Sequence, residues 1–96
     1  MRVERWPGGD FELEPGDLVR ISHPGDADAD GVRAEVVVGR SGEEKTLSWI
    51  PAGPKAVAMY LGEADEAVVP MDRPTAQVLH EGRILNVCAV YLQPER

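Results

Sequence analysis

The sequence predicts an all-β protein, a small barrel or sandwich of five to seven short antiparallel strands. Three observations carry this expectation. No segment repeats apolar residues at i, i+3, i+4 and i+7 over three turns, so no long amphipathic helix is expected. Eight prolines and ten glycines punctuate the chain and cut periodic runs short. Between them stand short runs of Val, Ile and Leu, the residues that suit a pleated, half-buried surface.

In chain order the runs are Leu18 to Ser22, Val32 to Gly39, Thr46 to Ile50, Ala56 to Leu61, Ala67 to Met71, Ala76 to His80 and Ile84 to Val90. In the first, Val19 and Ile21 share one face while Leu18, Arg20 and Ser22 take the other. The second sets Val32, Ala34, Val36 and Val38 against Arg33 and Glu35. Ser41-Gly42-Glu43-Glu44 then offers the turn of a hairpin leading to the strand that holds Leu47 and Trp49. In the fourth run Val57, Met59 and Leu61 are assigned to the core, opposite Ala56, Ala58 and Tyr60. If Glu81-Gly82 is a two-residue loop, His80 pairs with Arg83, Leu79 with Ile84, Val78 with Leu85 and Ala76 with Val87. Partners across a ladder share a face. Ala76, Val78, Leu85, Val87 and Ala89 then line the core, and Gln77, Leu79, Ile84, Asn86 and Cys88 point away from it.

These residues resemble an SH3-like small barrel of the KOW or translation-elongation type. Pro15-Gly16-Asp17-Leu18-Val19-Arg20-Ile21 is similar to a first strand entered from a turn, and Gly31 leading into Val32 to Gly39 is similar to the second. Gly82-Arg83-Ile84-Leu85-Asn86-Val87 followed by Tyr91-Leu92-Gln93-Pro94 resembles the close of such barrels. There a short 3-10 turn precedes the last strand or the tail. The resemblance covers roughly residues 13 to 94, and its motifs are generic, so it implies a fold and not an activity. Small free-standing barrels of this look also occur among phage accessory and virion proteins. Residues 1–12 are read as an N-terminal arm and 13–96 as one barrel domain.

Composition narrows the function. Ninety-six residues suit one core. A net charge of −7 repels phosphate backbones and anionic lipid, so neither nucleic acid nor membrane is expected as a partner. No apolar run approaches the ~18 residues of a membrane span, and MRVERWPGGDFELEPGD does not resemble a signal peptide. The expected location is the cytoplasm, or the virion of a phage. Cys88 is the only cysteine, which precludes an internal disulfide.

The candidate chemistry is thin. Asp26-x-Asp28-x-Asp30-Gly31 matches the first half of a calcium loop, but Ala34 and Val37 stand where later ligands belong. An acidic turn is the expectation, and no metal or cofactor is assigned. In the hairpin register above, His80 and Cys88 lie on opposite faces, which denies the contact that would activate a thiol. A saturated small barrel is also expected to leave little volume for a cleft of ~300 Å³, so no enzyme and no small-molecule substrate are expected. Association is the positive expectation. Leu79 and Ile84 form an outward apolar pair, Trp6 sits in a short Trp-Pro-Gly-Gly arm, and Trp49 is one of only five aromatic side chains. Open strand edges add unpaired backbone groups that another chain can extend. The expected function is a non-catalytic structural or interaction module that docks through Trp6, Trp49, Leu79 and Ile84 onto a protein partner or a copy of itself. The alternatives are a nucleic-acid- or translation-associated barrel in which Arg20, Arg33, Arg40 and Arg73 gather on one face, and a small regulatory subunit of an enzyme.

Overall fold

A computed structural model describes residues 1–4, 9–26, 28–38, 44–64 and 74–95, and the structural statements below concern these. The strands are β1 (Arg2–Val3), β2 (Phe11–Glu12), β3 (Leu18–Ile21), β4 (Gly31–Val38), β5 (Glu44–Pro51), β6 (Val57–Glu63), β7 (Thr75–His80), β8 (Arg83–Cys88) and β9 (Leu92–Pro94). A 3-10 turn over Ala89–Tyr91 precedes β9. Every ladder is antiparallel. β1 and β2 pair with each other, and the rest form one sheet in the order β5-β4-β8-β7-β6-β3-β9.

Alternation decides which face is buried. Val36, Leu85, Val78 and Tyr60 form one core row across four strands, and Ala34, Val87 and Ala76 form the next. Val19 lies against Ala58, Ile21 against Leu92, and Val32 against Ile50. Burying a Val, Leu or Ile side chain contributes about 1.5–3 kcal/mol, so these rows dominate the stability of the sheet. Val3 and Leu13 of the N-terminal segment join the same core. The Met1 ammonium donates to the Leu13 carbonyl at 2.7 Å, and Arg2 bridges Asp10 at the exposed side of the β1–β2 pair.

The sheet is rolled. β3 lies five places from β5 in the strand order, about 24 Å across a flat sheet at ~4.8 Å per strand. Yet the Gly53 amide, just beyond β5, donates to the Ile21 carbonyl in β3 at 2.9 Å. Among the described residues no ladder joins the two edges β5 and β9, so the sheet is curled but not closed. The edges differ. β9 has three residues and ends in Pro94, whereas β5 runs for eight.

The β7–β8 hairpin has the expected register from His80↔Arg83 to Ala76↔Val87. Its loop residues Glu81 and Gly82 both have positive φ, 51° and 76°, the requirement of a type I′ turn. The assignment for β6 is corrected. Ala58 and Tyr60 are buried while Val57 and Met59 face out, because Ala58 pairs with Val19 and Tyr60 with Val78 on the core side. A bulge at Leu61, between the Tyr60↔Val78 and Gly62↔Gln77 pairs, shifts the register and leaves Leu61 half-buried. Val38, at the end of β4, is exposed rather than core. Residues 67–71 and the hairpin turn at 41–43 lie outside the described residues.

Candidate interaction surface

The outward face of the sheet carries a row of apolar side chains. Val37 pairs with Ile84, Ile84 with Leu79, Leu79 with Met59 and Met59 with Leu18, so the row crosses β4, β8, β7, β6 and β3 without a break. Leu79 and Ile84 are each 38% exposed, Met59 is 39% and Leu18 is 52%. Four large apolar residues held in one line on a sheet surface differ from the scattered apolar exposure of ordinary surfaces.

The neighbouring row is polar. Glu35 pairs with Asn86 and Asn86 with Gln77, whose side-chain amide donates to the Asn86 Oδ1 at 3.2 Å. Glu35 Oε1 is buried and has no hydrogen-bond partner. Leu47 on β5 extends this row to the sheet edge, opposite Glu35. The third row begins with Trp49 opposite Arg33. The indole of Trp49 lies across the Cα of Gly31, where a Cβ would collide with it. Its other face is open, and the residue is 62% exposed.

The four residues singled out from the sequence therefore separate. Leu79 and Ile84 are direct cross-strand partners, Trp49 stands two rows away across the polar row, and Trp6 lies outside the described residues. Sequence reading missed Met59 and Val37, which it placed in a core or left unassigned, and Leu18, which it placed outward without joining it to the row. The signal was the ladder between distant strands, which no local alternation contains.

The remaining candidates do not assemble. Asp26 Oδ1 accepts from the Asp28 amide, a local turn, and among the described residues no three His, Cys, Asp or Glu side chains converge for a metal. His80 pairs with Arg83 and Cys88 with Thr75, at opposite ends of the hairpin. Five residues of strand put them about 17 Å apart along β7. His80 is buried toward the core, with Nδ1 3.0 Å from the Val57 carbonyl oxygen and Nε2 buried without a partner. The expected lack of a cleft is corrected. The β5–β6 loop and the β7–β8 turn border a shallow, open depression of about 410 Å³ lined by Pro51, Gly53, Lys55, His80 and Glu81 among others. The short β5–β6 connection is tied to β3 there, the Gly53 amide donating to the Ile21 carbonyl and the Ile21 amide to the Ala56 carbonyl. Arg20 is held by Glu95, and it stands four places from Arg33 in the strand order. Arg40 and Arg73 lie outside the described residues. Among the described residues, no helix is long and apolar enough to cross a membrane.

Fold and surface together define a small antiparallel all-β protein with an apolar outer row. Comparison with protein-family models, curated proteins and solved structures gives no match.

Proposed function

We propose that the chain is a non-catalytic interaction module, an SH3-like barrel that docks by its outer face onto a larger protein assembly such as a phage particle. The observation that carries this reading is the apolar row from Leu18 through Met59, Leu79 and Ile84 to Val37. Its fixed backbone matters, because strands already held in a ladder need no backbone ordering when a partner covers them. The flanking row of Glu35, Asn86 and Gln77 is partly buried and bonded to itself, so it bounds the apolar row on one side. The rolled sheet, with Gly53 bonded to Ile21, supports the barrel. The net charge of −7 favours a protein partner over nucleic acid.

A photo-crosslinking residue in place of Leu79, in chain expressed in its source cell, tests the reading. The expected result is one dominant crosslinked protein that is lost when Ile84→Glu is added. The same crosslinker in place of Glu12, on the N-terminal pair, is expected to capture nothing specific. Equal capture at both positions, or none at position 79, would overturn the proposal.

A further inference from the structure

The free edge of β5 has a definite backbone polarity. The Ala52 amide donates to the Asp30 carbonyl at 2.9 Å, which makes residues 30 and 52 a hydrogen-bonded pair of the antiparallel ladder. The β4–β5 register continues through Val32↔Ile50, Ala34↔Ser48 and Val36↔Thr46. Hydrogen-bonded pairs alternate in such a ladder, so the N–H and C=O of Thr46, Ser48 and Ile50 point to β4. Those of Leu47 and Trp49 point away from the sheet. Among the described residues no strand meets them. β5 is also the long edge, with eight residues against the three of β9, and its own proline, Pro51, stands at the strand end beyond Leu47 and Trp49.

We infer that this edge pairs with a second copy of itself, β5 against β5 antiparallel, about a two-fold axis at Leu47. The register follows from the alternation. Outward-pointing residues must face outward-pointing residues, and Pro51 has no N–H to offer. Centring the axis on Leu47 pairs Leu47 with Leu47 of the second copy and sets Trp49 opposite Lys45 on both sides. Within Glu44–Pro51 that axis gives three complete pairs, whereas one at Thr46 gives two, and one at Ser48 gives two complete pairs and two in which Pro51 supplies only its carbonyl. The same register is chemically self-complementary. Leu47 meets Leu47 on the outer face, Lys45 meets an indole, and Thr46 meets Ser48 on the inner face. Glu44 and Lys45 leave the strand neutral, so two chains of net charge −7 meet along a segment without like-charge repulsion. The inference does not depend on the docking reading, since it uses the edge of the sheet and not the Leu79–Ile84 row.

Amide hydrogen exchange on the full chain at rising protein concentration tests it, together with light scattering. The expected result is a mass approaching twice 10.5 kDa. Amides of Leu47 and Trp49 become protected with concentration, while those of Thr46 and Ser48 do not change. Leu47→Cys is expected to form a disulfide-linked dimer under mild oxidation, because a hydrogen-bonded pair sets Cα atoms about 5.5 Å apart. Thr46→Cys is expected to cross-link at least ten-fold less, its nearest partner being residue 48. Leu47→Lys, on a half-exposed position that tolerates charge, is expected to weaken dimerisation at least ten-fold with an unchanged circular dichroism spectrum. A monomer up to about 1 mM with no concentration dependence at Leu47 and Trp49 would overturn the inference. So would a dimer that cross-links through Leu79→Cys and not through Leu47→Cys.

Discussion

Two side chains in the structure are fixed by something that their own chemistry does not reveal. Trp49 is held because residue 31 has no Cβ, and the indole occupies that space. Gly31→Ala is therefore expected to push the ring off the sheet and to cost about 1–2 kcal/mol, the lower range for overpacking. In a Trp49→Ala background the same change is expected to cost almost nothing. A double-mutant cycle by urea denaturation reads the coupling, and additive costs would mean that the ring does not depend on the glycine. Among the described residues Tyr60 is the largest fully buried side chain, and its phenol is pushed up from the ordinary value near 10, first by burial and then by Glu63 and Glu14. The neutral phenol is the form that the fold favours. Above pH ~10 the unfolded chain releases a proton that the folded chain keeps, so stability is full below that pH and falls as pH rises toward the folded value. Thermal melts between pH 8 and 11 are expected to show that fall, and Tyr60→Phe is expected to flatten it.

Among the elements, the β7–β8 hairpin shows what sequence makes plain. Its loop is two residues long and ends in glycine, which fixes the register and with it the face of every residue from Ala76 to Val87. The turn is not optimal, however, since Glu81 occupies a left-handed conformation at φ 51°. Glu81→Asn is expected to stabilise the protein by about 0.5–1 kcal/mol, and Gly82→Ala to destabilise it by at least as much, both measured as shifts in denaturation midpoint. β6 shows the opposite case. Val57, Met59 and Leu61 outrank Ala58 and Tyr60 in apolar character, so the strand alone reads inside out. Its face is set instead by two neighbours remote in sequence, β3 and β7, and by the bulge at Leu61. The 3-10 turn ahead of a short last strand was expected at the C-terminus, but the pairings β1–β2 and β3–β9 escaped for a related reason. Two or three residues are too few to show a period, and their partners settle them. The apolar row inherits both outcomes, with Leu79 and Ile84 legible from one hairpin and Met59 hidden by the inversion of β6.

For the molecule as a whole, the decisive contacts join segments far apart in the chain. β9 completes β3 through Ile21↔Leu92 and Val19↔Pro94, and Arg20 clasps Glu95 through two hydrogen bonds of 2.9 and 3.0 Å. The pair is only partly exposed and bidentate, which places it above ordinary surface ion pairs. Glu95→Gln is expected to cost about 0.5–1 kcal/mol in low salt and less at 1 M salt, with the slope of the urea transition unchanged. A loss that ignores salt would assign the effect to backbone docking of β9 and not to charge. The same clasp has a temporal side. Arg20 and Glu95 are 75 positions apart, and synthesis adds about 5–20 residues per second, so one side of β3 stays bare for roughly 4–15 s after it is made. Throughout that interval the nascent chain exposes a Val- and Ile-bearing strand, and whatever keeps it from sticking to its neighbours acts before the fold exists.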